Sequence, residues 1–222
     1  MRIESKAPCR ADLAGGTLDI WPLYLFHPGS LTVNFAIDLY ATCRLEERSD
    51  GRISITSRDQ KCSRTFASLK DLERRSRYPR ALALPALLIR FFQPPRGLNL
   101  VVDCEAPGGG GIAGSSTVNI AICAALNRFT GRDYRLEKLR EIAQNVEAQV
   151  IRVPTGCQDY YPAMYGSMSA IHLTAAGIQR EPLEVDLEEF TERVTLAYTG
   201  VPRNSGINNW EVIKRHIDGD PR

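Results

Sequence analysis

The segment APGGGGIAGSSTVNIAI, residues 106–122, places four consecutive glycines ahead of two serines and an apolar run. So much bare backbone can serve a flexible linker, a dinucleotide fingerprint or a phosphate cradle, and each makes a different demand on its flanks. A linker is polar on both sides and leads nowhere. Here GLNLVVDCEA reads as a strand running into the glycines. Residues 117–129, rich in alanine, isoleucine and leucine, read as a buried helix that stops at Thr130-Gly131. The run therefore joins two core elements. Gly109, Gly111 and Gly114 satisfy G-x-G-x-x-G, but a Rossmann unit next requires a strand ending in an acidic residue, and the residues around Asp133 read as a turn opening a second helix. A P-loop requires Gly-Lys-Ser/Thr, and the loop holds no lysine. Two readings remain. One is a loop that offers free N–H groups at a helix N-terminus to an anion, phosphate foremost. The other is a tight turn whose serines only cap the helix.

Upstream, SLTVNFAIDLYATCRLEE and GRISITS carry β-branched alternation with turn residues between them, the pattern of an antiparallel sheet. ALALPALLIRFF, from Ala81, is too apolar for a surface segment and predicts a helix packed on that sheet, with Pro85 near its first turn. Downstream a helix is predicted from about Tyr134, with Leu136, Leu139, Ala143, Val146 and Val150 on one stripe, ending before Pro154. SMSAIHL and RVTLAYTG are predicted strands, and NNWEVIKRHI a last amphipathic helix. The shift in pattern near residues 151–155 marks the expected domain boundary, dividing the chain into 1–152 and 153–222.

With 222 residues, 43% hydrophobic and 24% charged, the chain can bury one large core or two modest ones, which excludes disorder. Its 28 basic and 26 acidic residues leave a net charge of +2, so neither nucleic acid nor a membrane surface is expected as a partner. MRIESKAPCR has no apolar core of a signal peptide, and no apolar run approaches the ~20 residues of a membrane helix. The six cysteines are spread singly without a C-x-x-C pair, which fits a reduced, cytoplasmic location. The three histidines lie far apart and give no support to a histidine metal site or a serine-histidine nucleophile.

APGGGGIAGSS resembles the second motif of the GHMP kinases (galactokinase, homoserine kinase, mevalonate kinase and phosphomevalonate kinase), usually P-x-x-x-G-L-G-S-S. KAPCRADLAGGTLDI resembles the first motif, and its AGGTLDI is most similar to bacterial sugar kinases that act on heptose 7-phosphate. PTGCQDYYPAMYGSMSAI and YTGVPRNSGINNWEVIKRHIDGD are similar to the same subgroup, so four segments in the right order span most of residues 5–220. The resemblance implies an α/β (α+β) two-domain GHMP kinase fold, an N-terminal ribosomal-protein-S5-like domain followed by a truncated C-terminal domain. The truncation is expected because the family's third, glycine-rich motif has no counterpart before Arg222. It further implies transfer of the ATP γ-phosphate to a hydroxyl of a sugar or sugar phosphate, with ATP and Mg2+ as cofactors. A catalytically inactive nucleotide- or sugar-binding protein is the rival reading. An ATP-dependent decarboxylase on the same fold is disfavoured by the sugar-kinase character of the first motif. Missing strands would leave an open sheet edge, closed either by self-association into a homo-oligomer through residues after about 151 or by a longer native chain.

Residue by residue, the resemblance makes Pro107, Gly108, Gly109, Gly110, Gly111, Gly114, Ser115 and Ser116 the phosphate cradle, and Ser116 and Glu147 the magnesium ligands. From its own position, Glu147 stands at the margin of an apolar stripe, where an unpaired carboxylate is costly and a cation would relieve it. The plainer reading is a solvated helix carboxylate. Asp159, after TGCQ, matches the catalytic aspartate, and Arg10 the basic residue beside it. Asp19 matches the aspartate that contacts sugar hydroxyls. Gly16 and Thr17 stand at this acceptor site where galactokinases keep a Glu-His pair, which argues against galactose. Taken singly, Arg10, Asp19 and Asp159 would more commonly be turn caps or surface ion pairs.

Overall fold

The computed structural model describes residues 1–202 and 209–220, so residues 203–208 of the YTGVPRNSGINNWEVIKRHIDGD segment lie outside the described residues. Strand β1 (Arg2–Ala14) pairs antiparallel with β2 (Leu31–Arg48), with Ala7 opposite Ala41 in the core. Two short 3-10 turns, Gly16–Asp19 and Leu23–Phe26, connect them. The hairpin β3 (Ile53–Ser57) and β4 (Cys62–Phe66) follows, turning Ile53, Ile55 and Phe66 inward. Helix α1 (Leu69–Glu73) starts where the Ser68 side chain accepts from the Asp71 amide, and α2 (Arg80–Phe92) leads to β5 (Gly97–Cys104). The expected antiparallel sheet has one exception. β3 and β5 run parallel, because β4, α1 and α2 carry the chain back across before β5 begins.

β2 has 18 residues and serves two neighbours on one edge. Residues 41–48 pair with β5 and residues 31–35 with β6 (Met168–Thr174), giving the order β4-β3-β5-β2-β6 and then β7 (Gly177–Leu183), with β1 off this path on β2. Where the two neighbours divide, the β1 register slips between Pro8 and Cys9. That irregularity re-aims the chain just before Arg10.

Three helices cover the sheet. Leu82, Leu88, Ile89 and Phe92 of α2, Ile122 and Leu126 of α3 (Gly114–Thr130), and Leu139, Ala143 and Val146 of α4 (Leu136–Ile151) form one core with Leu45, Ile55, Leu98 and Leu100. Each fully buried leucine or isoleucine contributes roughly 1.5–3 kcal/mol over an exposed one. Pro85 does not stand in the first turn of α2. Pro79 is the N-cap, so Pro85 falls one turn deeper and is buried; the ring forfeits one helix hydrogen bond, and core packing offsets the loss.

Helix α3 begins three residues earlier than predicted, at Gly114, with Ala113 in the left-handed region (φ 61°) as its N-cap. Ser115 and Ser116 are therefore inside the first turn and do not cap it. The expected boundary at 152/153 falls at the left-handed end of α4, and β6 and β7 beyond it extend the same sheet. α5 (Tyr160–Tyr165) lies between.

RVTLAYTG is not a strand. Its first residue closes α6 (Leu187–Arg193), which Asp186 caps by accepting from the amides of Glu188 and Glu189, and the residues after it pair with no strand among those described. Alternation makes a strand only where a sheet edge receives it, and Leu196 and Tyr198 remain about half exposed (53% and 50%). The last helix, α7 (Asn209–Ile217), buries Ile213 against Ile20 and Leu23, immediately after the first-motif turn.

Gly15, at φ 91°, makes that turn possible; a Cβ there would stand 2.7 Å from Thr32 Cγ2 and closer still to the Leu31 carbonyl. Gly15→Ala meets both the backbone strain and the clash, and is expected to destabilise the fold by about 2 kcal/mol or more in urea unfolding. Wild-type stability in that variant would show that the turn tolerates a side chain.

Candidate active site

The glycine loop leaves β5 at Cys104 and folds back on itself, with the Gly110 amide donating to the Pro107 carbonyl at 2.9 Å. Gly109 and Gly111 take φ of 73° and 75°, which glycine adopts without a steric penalty. The first helix bond of α3 is Thr117 N–H to the Ala113 carbonyl, 2.9 Å. The amides of Gly114, Ser115 and Ser116 have no acceptor within the helix, and the positive end of the helix dipole lies with them. Gly114 is held close to the end of β5: a Cβ there would be 3.3 Å from Ala106 Cβ.

Arg10 projects from β1 into this loop. Its backbone N–H donates to the Ile112 carbonyl at 3.3 Å, and its Nη1 to the Gly111 carbonyl at 2.8 Å. Its Nε and Nη2 both reach Asp159 Oδ1, at 2.9 and 2.5 Å, and Asp12 Oδ1 stands 3.0 Å from Nε. One guanidinium thus spans the glycine loop and the residue just before α5. Burial disfavours its charge, but Asp159 and Asp12 more than compensate and hold its pKa above the usual range. The Arg10 side chain is 10% exposed and that of Asp159 28%, so the aspartate is the member of the pair that a ligand can reach.

Ser116 and Glu147, thirty-one positions apart, meet in the interior. The Ser116 hydroxyl donates to Glu147 Oε2 at 2.9 Å, and the Tyr160 hydroxyl donates to the same oxygen at 2.6 Å. Glu147 is therefore not a solvated helix carboxylate. Desolvation raises its pKa; hydroxyl donation from Tyr160, Ser115 and Ser116 opposes this, and the charge of Asp159 adds to it.

Among the described residues no cluster of three or more His, Cys, Asp or Glu is arranged to hold a metal ion. A hydroxyl and a carboxylate suit a hard cation such as Mg2+, which binds through few protein oxygens when nucleotide phosphates supply others. Glu147 is buried with neutral hydroxyls as its hydrogen-bond donors, so its charge lacks the compensation a cation would give. In that sense the pair fits the group.

Asp19 is placed differently from expectation. Its carboxylate is buried, accepts from the Gln158 amide at 2.8 Å and is further held by the Cys157 amide. Gly156 closes over it, since a Cβ at that position would overlap the carboxylate. The Gln158 side chain in turn donates to the Gly16 carbonyl at 2.6 Å, and the Gln158 backbone carbonyl accepts from Asn34 Nδ2 at 3.0 Å. The group expected to meet sugar hydroxyls instead fixes the segment that carries Asp159, whereas Gly16 and Thr17 are exposed. Gln158 and Tyr160 flank Asp159 and were not singled out from the sequence. The one available signal was three polar residues in a row, Gln158-Asp159-Tyr160, between a glycine turn and a short helix.

Residues 78–167 match the model of the GHMP kinases N terminal domain. The chain is 24% identical over 208 residues to the D-glycero-alpha-D-manno-heptose 7-phosphate kinase of Campylobacter jejuni, an alignment covering 91% of this chain and 61% of that protein. The crystal structure of a D-glycero-D-manno-heptose 1-phosphate kinase from Bacteroides thetaiotaomicron superposes with a TM-score of 0.73 and 28% identity, covering 85% of this chain and 61% of that one. Galactokinase from Lactococcus lactis, solved with galactose, shares the fold at TM-score 0.65 and 17% identity, covering 83% of this chain and 48% of that one. Residues 78–167 thus resemble the N-terminal domain of the GHMP kinases, and the chain spans about three fifths of the length of the two heptose-phosphate kinases to which it is similar. No helix among the described residues is long and apolar enough to cross a membrane, and all six cysteines are free thiols.

Burial, then repulsion from Asp159, raises the Asp19 pKa to about 7 despite its two amide bonds. An unfolded aspartate titrates near about 4, so between about pH 4 and 7 the folded chain holds a proton that the unfolded chain has released. Through this group stability falls as pH rises across that window, and the full cost is present above it. The unfolding free energy of the wild type relative to Asp19→Asn is expected to decline over the same range in urea titrations at several pH values. A difference that stays flat would mean that Asp19 is ionised throughout.

Proposed function

We propose that this chain is the nucleotide-binding and catalytic part of an ATP-dependent kinase that transfers the γ-phosphate to a hydroxyl of a sugar or sugar phosphate, heptose phosphates being the favoured class. The observation that carries the reading is the Arg10 guanidinium bonded at once to the Gly111 carbonyl and to Asp159. A phosphate cradle and an acceptor carboxylate so joined are what a direct, in-line transfer needs. The heptose preference rests on the two similar heptose-phosphate kinases and on the Gly16-Thr17 step of the first motif.

In this reading the amides of residues 109–116 hold the triphosphate without a lysine, because glycine lets oxygen approach the backbone closely and the α3 dipole favours the charge. Ser116 and Glu147 would hold Mg2+, which when bound neutralises charge on the β- and γ-phosphates. Asp159 orients the attacking hydroxyl and accepts its proton late in the transfer. A loose transition state asks little of that base, since positioning contributes most of the rate. The exposed Gly16-Thr17 turn meets the acceptor. Asp19 supports it from below, by holding residues 157 and 158 so that Asp159 and the turn keep their spacing.

A screen of ATP consumption over hexoses, heptoses and their phosphates tests the reading. Acceptor-dependent turnover is expected. ATP binding without turnover on any acceptor would favour the rival, a nucleotide-binding protein without catalysis. In the active chain Asp159→Asn is expected to retain ATP affinity by calorimetry while lowering turnover by a factor on the order of 10² to 10⁴. Near-normal turnover would remove Asp159 from the chemistry.

A further inference from the structure

We propose that Tyr160 is a positioning residue for the cation site: it holds the Glu147 carboxylate from the acceptor side, so that the metal subsite and Asp159 are set by one backbone step. The inference rests on the assignment of Ser116 and Glu147 to the cation.

Two hydroxyls donate to Glu147 Oε2, and they come from two different helices. Ser116 belongs to the first turn of α3, the wall that carries the phosphate cradle, and donates at 2.9 Å. Tyr160 is the first residue of α5 and donates at 2.6 Å, the shorter of the two. Tyr160 has no exposed surface and Glu147 very little, so water does not compete for either bond. A carboxylate held by α3 alone would follow that helix. Donation from α5 ties the same oxygen to a second helix, and with it the direction in which the remaining lone pairs point.

The neighbour of Tyr160 gives the bond its meaning. Asp159 is fixed by Arg10 through Oδ1, and the next residue is fixed by Glu147. The dipeptide Asp159-Tyr160 is therefore clamped at both side chains, one to the guanidinium that touches the glycine loop and the other to the carboxylate assigned to the cation. Displacement of α5 relative to α4 would move both together. Asp159 and the cation site then keep their separation even where the surrounding loops yield.

The test is metal affinity, read without turnover. Tyr160→Phe keeps the ring and removes the donor, and 4-fluorophenylalanine at position 160 fills the place of the hydroxyl without donating, as a second variant should the first fold poorly. Electron paramagnetic resonance of Mn2+ titrated into the chain with ATP is expected to show about tenfold weaker Mn2+ binding in either variant, the scale typical of an outer partner of a metal ligand. ATP affinity measured in chelator is expected to stay within about twofold. Glu147→Gln is expected to weaken Mn2+ binding at least as much, and in that background Tyr160→Phe is expected to have no further effect, since the tyrosine acts through the carboxylate. Unchanged Mn2+ binding in the Tyr160 variants, with Glu147→Gln still impaired, overturns this inference alone. Unchanged binding in Glu147→Gln overturns the cation assignment and the inference with it. Additive losses in the double variant would assign Tyr160 a general packing role and overturn the inference.

Discussion

The guanidinium of Arg10 is the interaction on which the site depends. It leaves β1 directly after the register slip at Pro8 and Cys9, and that slip has a single evident result, a side chain turned out of the β-ladder toward the glycine loop. Its donors are shared among a loop carbonyl, Asp159 and Asp12. Because the planar fork cannot satisfy these partners in more than one pose, the distance between loop and aspartate is set by the width of one guanidinium. A lysine would supply the charge but not the spacing. The sheet, the long β2 strand and the three covering helices serve to bring β1, the start of α3 and the start of α5 within reach of that group.

Electrostatics around it are deliberately unbalanced. Asp19, Asp159 and Glu147 are close enough for the charge of Asp159 to raise the pKa of both of the others, and one guanidinium stands against these three and Asp12. Burial adds to the imbalance. A protein interior seldom keeps such an excess of carboxylate without a cation or a proton to offset it. Asp19 resolves its share locally, through backbone amides and a pKa near neutrality. Glu147 has only hydroxyls, and under the proposed function a divalent ion beside Ser116 would offset its charge.

Much of this was legible in the sequence, for a physical reason that also marks where legibility ended. The glycine loop was readable because it stood between a strand and a helix of unmistakable pattern, and Arg10, Ser116, Glu147 and Asp159 because their motifs kept order over most of the chain. What failed was information carried by partners distant in sequence. Ser115 and Ser116 look like caps locally, but Ala113 takes the left-handed conformation and draws them into the helix. Asp19 looks like a surface ligand, yet Gly156 lacks a side chain and so lets the carboxylate sink onto the amides of a segment about 140 positions away. RVTLAYTG alternates like a strand, and no alternation can reveal that the sheet offers it no edge. Tyr160 lies in the PTGCQDYYPAMYGSMSAI segment but was given no role from it; its meaning lies in the oxygen it touches.

The split edge of β2 has a consequence for how such a chain comes into being. Residues 41–48 find β5 early, because every strand and helix of that half is complete once α3 has formed. Residues 31–35 must wait for β6, whose sequence separation from them is among the largest in the sheet. During vectorial synthesis the half that carries the glycine loop can thus assemble while Asp159 and Tyr160 are still inside the ribosome. Under the proposed function, a nascent chain at that stage would hold the glycine loop but neither Asp159 nor the Tyr160 clamp on Glu147, so its ligand site would precede its chemistry.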